Sequence, residues 1–244
     1  MTTTWRAEVR KLRSTRSLWA VPVIGALVSV IGAALFISFL SVEDLASRLS
    51  AHEPLRFGPT NTGLILLVLA IRIAGDEDHH RTLPATYIAT PDRLRVLAAK
   101  AAVAAAATIA FCVAVLAAVL VISLVGIEVR DLPMTVDLGA TGALFARETL
   151  AMVLTALLGV ALATAIRNRT VALVSVLLWL ILFEDLFGSL LKVPELLPGA
   201  AVSGLVSDNA GPEALAAGPA AAVLATFVVA ALAAAAISVR RDVA

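Results

Sequence analysis

Along this chain of 244 residues, long stretches without charge alternate with short polar interruptions. Residues 17–40 make a run of 24 positions with no ionisable side chain. A bilayer's hydrocarbon core, ~30 Å thick, takes about 20 apolar residues of helix to cross. Residues 59–75, 101–127, 149–166, 171–190 and 219–239 meet the same standard. The pattern therefore predicts an all-α integral membrane protein, one domain of six spanning helices. The second segment is short and carries Arg72, which lies within a turn of its polar end and can snorkel to the interface. The fifth holds Glu184 and Asp185 towards its far end, so its apolar part is 171–183.

The flanks add two shapes. Trp5, Val9 and Leu12 recur at helical spacing within a basic surround, which predicts an amphipathic helix over residues 1–16 lying in the membrane interface. Residues 191–218 are too polar to span yet contain "LLPGAAVSGLV", and predict short outer helices between the fifth and sixth spans. The first apolar run exceeds a signal-peptide core of ~7–15 residues, which predicts a retained span. Basic residues orient the bundle. Thirteen of the nineteen Lys and Arg fall on the side of the N-terminus, of Arg81–Lys100, of Arg167 and Arg169, and of Arg240 and Arg241, against five on the other. Positive charge marks the cytoplasmic side, so both termini are expected there.

Composition agrees: 60% of residues are hydrophobic, well above the ~45–50% of soluble domains. The lone Cys112, inside an apolar run, allows no internal disulfide and reads as a small buried hydrophobe. The alanine-rich runs "AAVAAAATIA" and "AALAAAAISV" in the third and sixth spans suit close backbone packing. No phosphate-binding loop, H-E-x-x-H pair or G-x-S-x-G elbow is present. As bounded above, no span carries a matched pair of ionisable residues at its midplane. These absences point away from self-sufficient catalysis or pumping.

Residues 75–100, "GDEDHHRTLPATYIATPDRLRVLAAK", are the most polar passage. Asp76, His79 and His80 hint at a metal site, but the two histidines diverge by about 100° on a helix, and solvation of a span end explains them more simply. Thr90 as N-cap, Pro91 at the first helical position and Asp92 in the first turn predict a helix starting there. It would run well beyond the length that the hydrocarbon needs, leaving roughly ten residues protruding. Residues 84–89 then form a small apolar knob between two stiff helices.

At this loop the chain resembles the permease subunits of type-2 ATP-binding-cassette exporters. The residues that carry the likeness are the acids Asp76 to Asp78, Thr82-Leu83, Pro91-Asp92-Arg93, Lys100, and Glu8-x-x-Lys11 with Arg13 and Arg16. Arg81 departs from it, standing where that family commonly has glycine. The resemblance implies a multi-pass protein of a bacterial cell membrane that pairs with a second permease, identical or related, and binds a separate ATPase holding ATP and Mg. No cofactor, metal, catalytic residue or nucleic acid is implied on this chain. Carried over residue by residue, Glu8, Lys11, Arg13, Thr82, Leu83, Pro91 and Arg93 are the expected ATPase-coupling contacts, and Thr62 and Ser175 line the path. Drugs, antimicrobial peptides and lipid-like amphiphiles are the expected substrates. The alternatives are a stand-alone secondary transporter or channel, which would need intramembrane charges, and a non-transport membrane anchor of a complex.

Overall fold

The computed structural model describes residues 2–14, 16–39, 63–79, 86, 88, 90, 92–130, 138–191, 194–206 and 215–241. Among the described residues all regular structure is helical, with no strand. In order these helices are α1 (Thr2–Ser14), α2 (Arg16–Phe39), α3 (Gly63–His79), α4 (Arg93–Val129), α5 (Leu138–Ile166), α6 (Arg169–Leu178), α7 (Glu184–Leu191), α8 (Pro198–Val206) and α9 (Ala217–Arg241). Four of them, α2, α4, α5 and α9, are long and apolar enough to cross a membrane. Their outer faces are rich in exposed aliphatic side chains, such as Val23, Leu27 and Ile31 on α2. In water such faces would be costly; against lipid tails they are at rest.

Several boundaries differ from expectation for local reasons. The helix α3 does not stop at residue 75 but continues through the acids to His79, because nothing in "GDEDH" breaks a helix and Asp76 finds a cation across the bundle. The start of α4 is set by Asp92, whose carboxylate accepts from the Arg95 amide at 3.1 Å, and not by Thr90. Thr90 instead donates its own amide to the Thr86 carbonyl at 2.9 Å, closing a separate helical turn. The fourth apolar segment begins eleven residues earlier than read, at Leu138, so Arg147 and Glu148 lie inside α5. Its successor comes in three pieces: α6, a π-helical turn at Trp179–Phe183, and α7. The expected outer helices are represented by a 3₁₀ turn at Pro194–Leu196 and by α8.

The central column is α5, which packs against α9, α3, α4 and α8. Its seams are lined by Ala151, Ala156, Ala161 and Ala163, all buried. At Gly159 a β-carbon would come within 2.9 Å of Leu67 Cδ1 and 3.1 Å of the Leu67 carbonyl oxygen. Backbones thus approach closely where side chains are smallest, the means by which helices associate without a hydrophobic driving force. The alanine-rich runs share in this packing through Ala104 and Ala235, which are buried in the same cluster as Ala156, Ala161 and Ala163. Within 101–110 only Val103, Ala104 and Thr108 are buried, and within 230–239 only Ala235 and Val239.

The hydrogen bonds fix relative directions. Contacts of Arg93 with Val239, Lys100 with Ala74 and Arg169 with Asp76 bring the starts of α4 and α6 to the ends of α3 and α9. At the opposite end Arg130 donates to the Ile37 carbonyl, and a β-carbon on Gly126 would sit 2.6 Å from Ile37 Cγ2. Hence α2 runs alongside α4 in the same direction.

Candidate functional site

Four basic side chains clasp the end of the bundle where α3, α5 and α9 finish. Arg93 Nη1 donates to the Val239 carbonyl at 3.1 Å, and Arg167 Nη2 donates to the Ser238 carbonyl at 2.5 Å. The last carbonyls of a helix carry its negative pole, so two guanidiniums there are doubly favourable. Lys100 is buried and places its ammonium 3.3 Å from the Ala74 carbonyl, near the last turn of α3. Arg169 Nη1 lies 2.6 Å from Asp76 Oδ1, both side chains mostly covered. A β-carbon on Gly75 would approach Arg169 Cβ to 3.2 Å, so the absence of a side chain lets α6 start this close to α3.

The link from α5 to α6 is a two-residue break. Arg167 takes φ 57°, the left-handed region that ordinary L-residues enter at a cost, and Asn168 then caps α6 by accepting from the Val171 amide at 3.1 Å. The contact of Arg167 with α9 offsets that cost. Between α3 and α4, Thr86 and Ile88 belong to the small helical turn, and Ile88 is 84% exposed. A large aliphatic side chain is so displayed four residues before Asp92, which with Arg93 and Lys100 holds the start of α4.

The sequence-predicted coupling residues fall in three groups. Glu8 and Lys11 meet on α1 at 2.8 Å, with Glu8 buried where α1 packs against α4. Arg13 lies on the same helix. Arg93 belongs to the clasp on α9. The remaining three, Thr82, Leu83 and Pro91, lie outside the described residues, as does the path candidate Thr62. Ser175, the other path candidate, is exposed on α6. Glu184, read as an outer acid, accepts from the amides of Gly199 at 2.6 Å and Ala200 at 3.0 Å. It caps the first turn of α8, the negative group that a helix N-terminus prefers. A π turn lies just before it, and Trp179 of that turn stacks on Phe187 with ring centroids 5.8 Å apart.

One residue escaped the sequence reading. Glu148 has no accessible surface at all, and lies beside Cys112 of α4 along with Thr149. Eighteen residues separate it from Ile166, roughly 27 Å along the helix. The signal that could have revealed it is the apolar pattern of 138–146, which continues the helix before the charged pair and so places that pair within it. Comparison with protein-family models gives no match, and comparison with curated proteins finds no similar sequence.

Proposed function

We propose that this chain is the permease subunit of an ATP-driven exporter in a bacterial cell membrane, crossing it six times with both termini cytoplasmic. In this reading α3 and the α6–α7 segment complete the set begun by α2, α4, α5 and α9. The end bearing the basic clasps faces the cytoplasm, in accord with the thirteen-to-five bias of Lys and Arg. A separate ATPase docks on the turn carrying Ile88, and a second permease, identical or related, completes the path. The substrate class is an amphiphile: a drug, an antimicrobial peptide or a lipid-like molecule.

The observation that carries the reading is the exposed Ile88 between α3 and α4, on a turn whose neighbouring helix start is tied to α3 and α9. A push on that turn would be passed to two helices at once. Residues Glu8, Lys11, Arg13, Thr82, Leu83, Pro91 and Arg93 are the proposed surround of the docking site. Co-expression with a phosphate-loop ATPase encoded beside this chain is the test. The pair should co-purify, Ile88→Asp should abolish the association, and the chain alone should neither bind nor hydrolyse ATP. Loss of nothing on Ile88→Asp would overturn the assignment.

Glu148 favours a second reading, that of an ion-coupled transporter acting alone, since a buried carboxyl within a spanning helix is a recurrent proton or cation site. Proteoliposomes containing only this chain separate the two. Uptake driven by an ion gradient and lost in Glu148→Gln would establish the second reading and defeat the first.

A further inference from the structure

A cavity of about 450 Å³ opens between α1, α2 and α4, and its wall is almost entirely carbon. Trp5 and Leu12 of α1 form one side, Trp19 and Pro22 of α2 another, and the floor is a face of α4 where Ala107 and Ala110 leave room that larger residues would fill. The groove adjoins exposed aliphatic surface: Val23 of α2, and Ile109 and Val113 of α4, are each about half accessible. Such a groove is continuous with the face that lipid tails would cover.

The occupant's head group is indicated by charge. On α1, Arg6 and Arg10 are exposed and one helical turn apart. The only acid of that helix, Glu8, is buried and engaged by Lys11. The accessible surface of α1 is therefore cationic with no compensating carboxylate, directly beside an apolar slot. An amphipathic helix of this kind attracts anionic lipid. We infer that the groove is a binding site for one acyl chain of an anionic glycerophospholipid, whose phosphate rests against Arg6 and Arg10. This inference stands apart from the exporter reading, since it needs only the membrane.

The site contains its own reporters. Of the three tryptophans, Trp5 and Trp19 line the groove and Trp179 lies in the π turn, so Trp179→Phe leaves emission from the groove alone. Reconstitute that protein in phosphatidylcholine vesicles, then replace a growing fraction of the lipid by phosphatidylglycerol with brominated chains, or by brominated phosphatidylcholine. The anionic lipid should reach half-maximal quenching at a mole fraction at least threefold lower. Ala110→Phe should remove that preference by filling the slot. Arg6→Gln with Arg10→Gln should remove it too, while leaving quenching by the neutral lipid as before. These arginines are exposed, so their variant keeps the test alive if Ala110→Phe fails to fold. Equal quenching by the two lipids, or a preference that survives both variants, would overturn the site. Absence of quenching by either lipid would mean that a second protein chain covers the groove, and would overturn it as well.

Discussion

The two ends of the bundle are held in different ways. Where α3, α5 and α9 finish, the ties reach far along the chain: Arg93 to Val239, Arg169 to Asp76, Arg167 to Ser238. Among the described residues of the opposite end, the hydrogen bonds of Glu184 to the start of α8 span 15 and 16 residues, while Arg130 reaches the Ile37 carbonyl across 93 positions, as far along the chain as Arg169 is from Asp76. The chemistry is the same in both places, cations on helix carbonyls and an acid on helix amides. The connectivity is not. Arg93, Arg167 and Arg169 each tie helices distant in sequence, as Arg130 does at the other end, and the local member of the set is the Glu184 cap that closes α7 onto α8. Among the described residues the larger number of long-range ties lies at the clasped end, and the opposite end combines one such tie with one local cap.

The seam between α3 and α5 brings Gly159 against both the side chain and the backbone of Leu67, so the largest effect is expected there. Gly159→Leu would drive carbon into Leu67 and its carbonyl, where even a β-carbon is at 2.9 Å and 3.1 Å. Overpacking of this kind should cost about 3 kcal/mol and loosen both ends together. Unfolding of the purified protein in mixed micelles, followed by circular dichroism, measures it. Loss at only one end would show that the ends are independent of the seam.

Next comes the pair that most distinguishes the clasped end. Breaking Arg169 from Asp76, with 24% and 19% of their side chains exposed, removes a charge-assisted hydrogen bond at 2.6 Å. Arg169→Ala should cost about 2 kcal/mol, and Asp76→Ala a similar amount. The double variant should cost little more than either alone, because the two residues act on one another. A smaller effect, about 1 kcal/mol, is expected of Gly199→Ala at the other end. Its β-carbon would stand 2.6 Å from the Glu184 carboxylate, which must then leave the amides it caps. In a Glu184→Ala background that same change should cost almost nothing, and thiol accessibility of a cysteine placed at Ser189 reports the local opening.

How much of this was legible beforehand follows from what periodicity encodes. The long apolar runs match α2 and α9 to within two residues at each end, and the end of α4 likewise, since charge-free length is itself the signal for a membrane helix, whereas the start of α4 lies eight residues before its run and follows from the cap signals at 90–92. The apolar segment 149–166 falls short of α5 because Arg147 and Glu148 interrupt the charge-free run, whereas the helix itself continues through them to Leu138 with Glu148 buried. The π turn at Trp179–Phe183 has no counterpart in the apolar pattern, which runs unbroken through it to Glu184. Of the candidate residues, Glu8 with Lys11 was legible as an i,i+3 pair. The partners of Arg93, Lys100 and Arg169 were not, because ties between residues 146, 26 and 93 positions apart depend on how helices pack and not on local spacing.

The smallest expected effect concerns the start of α4, which both the clasp and the proposed docking turn require. By sequence Asp92 is a first-turn acid and Thr90 is expected in the role of N-cap. Asp92 fills it through its bond to the Arg95 amide, while Thr90 serves the preceding turn. Asp92→Ala should therefore lower stability by about 1 kcal/mol, the usual worth of a helix cap. The accompanying ion pair with Arg95 is half exposed on both sides, with nitrogen and oxygen 3.5 Å apart, and Arg95→Gln should change stability by no more than about 0.5 kcal/mol. Asp92→Asn separates cap from charge: it keeps the acceptor oxygen and should retain most of the stability. Thr90→Ala should be nearly silent. If Thr90→Ala proved the costlier of the two, α4 would begin two residues earlier than described. Arg93 would then sit inside the first turn instead of opening it, and its reach to the Val239 carbonyl, the longest tie in the clasp, would have to be made from a different helical position.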